Sequence, residues 1–153
     1  KSALGDFRGT WRRFEYKGEV RGAKVYDDYG HHPTEIAATI AGARELYPDR
    51  ALTVIFQSHT FTRTHALFDQ FADALALADR VCVLPIYAAR EVNESGVSHI
   101  ALAEAVGERQ VPVQAYNTFE AVVADLSPQL TAHDIVLVMG AGDITRVATL
   151  LTS

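Results

Sequence analysis

The chain has 153 residues, 48% of them hydrophobic and 22% charged, with a formal net charge of −5. That suffices for one domain with a true core, is too short for two ordinary domains, and is too apolar for a disordered chain. The acidic balance argues against a nucleic-acid binder, which shows a basic face, and no apolar run reaches the roughly 18 residues of a membrane helix. The single cysteine, Cys82 in Val81-Cys82-Val83-Leu84, allows no disulfide framework and fits a reducing, cytoplasmic setting. It reads as a small core residue rather than a nucleophile. The start, Lys1-Ser2-Ala3-Leu4-Gly5, has no initiator Met and no secretory apolar stretch, so it reads as a cut within a longer protein.

Residues 6–20 mix aromatics with charges and are punctuated by Gly9 and Gly18, with Gly22 following, which predicts short exposed strands or a hairpin. Gly22 to Tyr26 reads as a strand. A helix is expected from Pro33 to Tyr47, with Ile36, Ile40 and Ala43 on one face and Pro33 pre-set for its first turn. Ala51 to Phe56 and Arg80 to Ile86 are nearly continuous apolar runs, as in parallel strands buried on both faces. Between them, Leu67, Phe68, Phe71, Ala74, Leu75 and Ala78 trace one helical face.

A further helix is expected from Ser98 to Val106, stopping at Gly107. A short strand follows from Val111 to Ala115, with Pro112 suiting an edge. Asn117 and Glu120 have capping-box spacing for a helix ending near Leu126. Asp134 to Met139 is the last apolar strand, and Gly140-Ala141-Gly142-Asp143 opens the last helix. The alternation predicts one α/β domain with a three-layer, Rossmann-like architecture: a mostly parallel sheet with helices on both faces.

Polar clusters follow the strands ending near residues 26, 56, 86 and 139, so all four would lie on one edge of that sheet, where open α/β sheets bind ligands. The first, Asp27-Asp28-Tyr29-Gly30-His31-His32, offers carboxylates and imidazoles suited to zinc or manganese, although neighbours in one loop seldom all face one ion. In the second, Arg63 beside the donors Gln57, His59 and Thr60 could clamp a carboxylate or phosphate bidentately. The Gly140 turn lacks both the six-position glycine fingerprint and the Lys-Ser/Thr of a P-loop. It reads as a close backbone approach to a ligand or partner, or as a tight turn.

Taken together, Asp28-Tyr29-Gly30-His31-His32-Pro33-Thr34-Glu35, Phe56 to Thr64, Ile86 to Glu91 and Met139 to Asp143 resemble the C-terminal domain of the Mur ligases. The resemblance covers essentially the whole chain, with residues 1–20 as the lead-in from a missing central domain. It implies a part of an ATP-dependent, amide-forming ligase of peptidoglycan and cell-wall biosynthesis, specifically the activity that joins L-alanine to UDP-N-acetylmuramate. It implies further that the N-terminal domain holds the UDP-sugar, that the central domain holds the P-loop and Mg²⁺, and that the isolated chain is inactive.

Carried over by position, Arg13 and Asp28 are expected at the nucleotide, on its phosphates and its ribose hydroxyls respectively. Tyr29, His31, His32, His59, Thr60, Arg63, Tyr87 and Gly140 are expected at the substrate. No general base and no metal ligand is expected here. Many members read Pro-His-Arg where this chain has Ser58-His59-Thr60, which leaves Arg63 as the main charge partner for the amino acid. Three other readings stay open: a ligase of the same family for a recycled murein tripeptide, a metal-dependent hydrolase built on Asp27, Asp28, His31 and His32, and a non-catalytic binding module.

Overall fold

The computed structural model describes residues 13–153; the expected lead-in through residue 12, with Phe7 and Arg12, lies outside them. Strand β1 (Glu15–Val20) and strand β2 (Ala23–Asp28) form an antiparallel hairpin with Val20 opposite Ala23. Its two-residue turn places both Arg21 (φ 53°) and Gly22 (φ 86°) in the left-handed region, the conformation that matches the twist of hairpin strands. Helix α1 (Pro33–Leu46) follows, then strand β3 (Ala51–His59). Next come helix α2 (Phe61–Ala66), helix α3 (Phe68–Leu75), strand β4 (Arg80–Tyr87), helix α4 (His99–Gly107), strand β5 (Val113–Ala115), helix α5 (Phe119–Leu126), strand β6 (Asp134–Met139) and helix α6 (Thr145–Thr152).

Six strands form one sheet in the order β1-β2-β6-β3-β4-β5, parallel throughout except for β1 against β2. Side-chain parity splits the core in two. Val54 and Phe56 of β3 face one side and pack with Ile36 and Ile40 of α1, Phe71 and Leu75 of α3, and Leu102 and Val106 of α4. Ile55 between them faces the other side, with Val122 and Leu126 of α5 and Ile144, Val147 and Leu151 of α6. Both faces are therefore covered, which is why β3, β4 and β6 read as unbroken apolar runs. Burial pushes the Cys82 thiol up to about 12, so it is an inert core group.

Several boundaries differ from the sequence reading. Asp27 and Asp28 belong to β2, and Gln57, Ser58 and His59 belong to β3, so these polar residues are strand rather than loop. The expected helix through Leu67 and Phe71 is two helices broken at Leu67. No glycine or proline marks the break, and the apolar face continues across it. The short edge strand starts at Val113, after Pro112. The cap of α5 is Thr118, whose hydroxyl accepts from Ala121 N at 3.0 Å, not Asn117. The Gly140–Asp143 segment is a turn, and α6 begins only at Thr145.

The insertion of β6 between β2 and β3 positions the site. From their carboxyl ends, β2 sends the chain to α1 and β3 sends it through α2 to α3, with α1 and α3 on one side, whereas β6 sends it to α6 on the other. The chain thus leaves the edge in opposite directions from neighbouring strands, which opens a crevice there.

Candidate functional site at the carboxyl edge of the sheet

Asp28 ends β2 and is 5% exposed. Its Oδ2 accepts from Phe14 N at 2.9 Å and its Oδ1 from Gly30 N at 2.8 Å. Burial raises its pKa; those two N–H groups and the nearby Arg13 guanidinium counteract this, and Asp27 adds to it. The carboxylate thus holds the start of the domain and the turn into α1. Arg13 is exposed and close enough to act electrostatically on both Asp28 and Glu35. Asp27 faces the opposite helix layer, where Thr145 Oγ1 donates to its Oδ2 at 2.6 Å.

The amino end of α1 is closed by its own residues. Thr34 N donates to His32 Nδ1 at 3.2 Å, while Glu35 Oε1 accepts from both His31 N and His32 N at 3.1 Å. Burial opposes ionisation of Glu35, but the N–H groups of His31 and His32, with His31 and Arg13 nearby, hold its carboxyl below the usual range. His32 is therefore an exposed helix cap rather than part of the inner site. His31 Nδ1 lies 3.1 Å from the Tyr29 carbonyl; in the neutral tautomer that donates there, Nε2 is left as the acceptor.

His31, His59 and Tyr87 form a continuous line of rings with Tyr29. Tyr29 meets His31 edge-on at 5.2 Å, His31 meets His59 edge-on at 6.0 Å, and His59 stacks on Tyr87 at 5.4 Å and 16°. Sheet pairing sets the last contact, because His59 of β3 lies opposite Tyr87 of β4. Burial, with Arg63 and His31 nearby, lowers the His59 pKa against the opposing pull of Glu91, so its imidazole is neutral at neutral pH.

Thr60 turns the chain from β3 into α2 with φ 70°. Its N–H donates to Tyr87 O at 2.8 Å and its Oγ1 accepts from Arg63 N at 3.2 Å. Its side chain is thus a helix cap. Ser58, buried at 1% exposure, meets Thr64 hydroxyl to hydroxyl at 2.5 Å and ties the strand end to α2.

Among the described residues, three buried polar atoms at this edge have no hydrogen-bond partner: Arg63 Nη1, His59 Nδ1 and Gln57 Oε1. Buried polar groups are paired as a rule, so this trio marks where the edge has unspent bonding capacity. Gln57, expected from the sequence as a donor beside Arg63, spends its Nε2 on Pro85 O at 3.2 Å. It and Tyr87 also border a cavity of about 370 Å³ lined by Ile86, Phe119 and Asp143.

The Gly140 turn packs under these groups. Gly140 N donates to Asp28 O at 3.2 Å, and a Cβ at Gly142 would come 2.8 Å from both Gln57 Oε1 and the Tyr87 ring. Of the two readings of this turn, close backbone approach is met by the protein's own Gln57 and Tyr87. Among the described residues, no group of three or more His, Cys, Asp or Glu side chains could hold a metal ion. Asp27, Asp28 and His32 are each committed to separate partners, which removes the geometric basis of the hydrolase reading.

The chain is similar to known proteins over nearly its whole length. The family model described as "Mur ligase, glutamate ligase domain" matches residues 12–142. A UDP-N-acetylmuramate–L-alanine ligase from Acidithiobacillus ferrooxidans is 46% identical over 147 residues, spanning 96% of this chain and 32% of the relative. Among solved structures, the UDP-N-acetylmuramate-alanine ligase from Thermotoga maritima aligns with TM-score 0.76 and 27% identity over 97% of this chain and 31% of that one. A murein peptide ligase from Psychrobacter arcticus shares the fold with TM-score 0.74 and 23% identity, over 92% of this chain and 29% of that one. The chain therefore spans about a third of the length of the curated relatives it matches, and by the match over residues 12–142 it belongs to the Mur ligase family.

Proposed function

We propose that this chain is the amino-acid-binding domain of an ATP-dependent ligase that joins L-alanine to UDP-N-acetylmuramate in the cytoplasm during peptidoglycan synthesis. The observation that carries the reading is the pair of buried, unpartnered nitrogens Arg63 Nη1 and His59 Nδ1 at the switch-point edge. A guanidinium beside an imidazole whose Nδ1 carries the ring proton, the tautomer this reading assigns to His59, suits the carboxylate of a free amino acid. Gln57 Oε1, the unmatched acceptor nearby, suits its ammonium group.

In this reading ATP phosphorylates the muramate carboxylate, and the amine of L-alanine displaces phosphate from that acyl phosphate to form the amide. The remaining length of the relatives supplies the UDP-sugar site, the phosphate loop and Mg²⁺, and domain closure brings the two halves together. This chain contributes position and charge. Arg63 and His59 orient the amino acid, Tyr87 and His31 wall the site, and Arg13 neutralises the transferring phosphoryl group. Asp28 keeps Arg13 and Phe14 at the edge and offers its remaining lone pairs to the ribose. Among the described residues no helix is long and apolar enough to cross a membrane.

The test is L-alanine-dependent phosphate release with UDP-N-acetylmuramate, ATP and Mg²⁺. The full-length protein is expected to be active and this chain alone inactive. Arg63→Ala removes a charged hydrogen bond of about 2–3 kcal/mol, so half-saturation by L-alanine should rise about 30–150-fold. An unchanged half-saturation would refute the assignment of Arg63.

A further inference from the structure

Arg63 lies on α2, a helix of only six residues, too short to hold itself in place by its own hydrogen bonds. Its first N–H groups have no partners inside the helix. Thr60 Oγ1 takes that of Arg63 at 3.2 Å. Glu91 Oε1 takes that of Thr62 at 2.9 Å, reaching across from the loop after β4. Glu91 is brought there by a turn in which two successive non-glycine residues, Ala89 (φ 50°) and Arg90 (φ 76°), are left-handed. Such conformations are costly and persist where the surroundings enforce them. Neither the motif reading nor the family match assigns Glu91 a role.

We propose that Glu91 is a positioning residue for amino-acid recognition: its carboxylate caps α2 and thereby fixes Arg63 beside His59. This rests on the reading of Arg63 and His59 as the carboxylate site. The geometry also explains why a carboxylate can sit so near that site without filling it. Glu91 is spent on the helix backbone, which leaves the Arg63 and His59 side chains for the incoming group. Its carboxyl is held below the usual range chiefly by the Thr62 N–H, as a capping anion should be.

The experiment compares Glu91→Ala and Glu91→Gln in the full-length ligase, varying L-alanine at saturating ATP and UDP-N-acetylmuramate, with amide hydrogen exchange at Thr62 in parallel. Loss of the cap in Glu91→Ala should raise KM for L-alanine about tenfold while kcat and KM for ATP stay within about twofold. Glu91→Gln keeps an acceptor oxygen and should return KM to within about threefold of wild type. Thr62 exchange should speed up in Glu91→Ala and be restored in Glu91→Gln. Unchanged KM for L-alanine, unchanged Thr62 exchange, or a Gln variant as impaired as the Ala variant would each overturn the proposal. A wild-type enzyme that ignores L-alanine would instead overturn the substrate reading, and it is recognised without any variant.

Discussion

Replacing Gly140 by alanine tests how the site is held together. At Gly140 φ is +148°, and a Cβ would lie 2.6 Å from the Gln57 carbonyl oxygen and 3.1 Å from Ile144 Cγ2. Backbone in this region costs a side-chain-bearing residue about 1–3 kcal/mol. The Gln57 carbonyl belongs to a buried strand and cannot swing aside, so overpacking adds a further ~1–3 kcal/mol. Gly140→Ala should therefore lose about 4 kcal/mol, a fall in Tm on the order of 10 °C for a chain of this size. Gly96 is the control. Its φ is +80° with nothing within 4 Å of an added Cβ, so Gly96→Ala should lose only about 1 kcal/mol. Urea midpoints and thermal melts of both variants decide the matter. If Gly140→Ala is no less stable than Gly96→Ala, the contact between the glycine turn and Gln57 does not hold the site.

Two further outcomes follow from the same geometry. Glu35→Ala removes the acceptor for two N–H groups and should cost about 1 kcal/mol at pH 7. The folded-state pKa of Glu35 is depressed below 4.5, so its contribution is present above that value and lost as pH falls through the folded one. The urea-midpoint gap between wild type and Glu35→Ala should narrow as the pH is taken progressively below 4.5; a gap that stays constant down to full protonation of the carboxyl would exclude the ionised cap as its source. Arg90→Gly relieves a left-handed backbone and should gain about 0.5 kcal/mol after the greater freedom of glycine in the unfolded chain is subtracted. A lower guanidinium midpoint for this variant would show that strain at residue 90 is outweighed by that freedom.

How far the site could be read from sequence depended on whether its signals were local. The strands β3, β4 and β6 announced themselves because burial on both faces demands unbroken apolar runs, and their order then put four polar clusters on one edge. The break at Leu67 was hidden because Leu67 and Phe68 both pack on the first core cluster, so the apolar stripe runs across it. Thr60 carries a left-handed backbone without being Gly or Asn, so no residue type flagged the turn. The cap of α5 slipped by one residue because Thr118, not Asn117, is the cap that lets Phe119 pack on the second core cluster. Glu91 and Thr62 are 29 positions apart, and only the pairing of His59 with Tyr87 brings their loops together.

The balance of donors and acceptors shows how an acidic chain could present the anion-taking edge proposed above. Four carboxylates there are already matched by the protein's own groups: Asp27 by Thr145, Asp28 by Phe14 and Gly30, Glu35 by His31 and His32, and Glu91 by Thr62. Their negative charge is spent on N–H and O–H groups of the fold itself. The side chains of Arg63 and His59 keep buried nitrogens unmatched, and Arg13 and Arg90 lie exposed at the same edge. A net charge of −5 is thus compatible with the proposed taking of carboxylate and phosphate at this edge, because these four acids serve the protein's own donors.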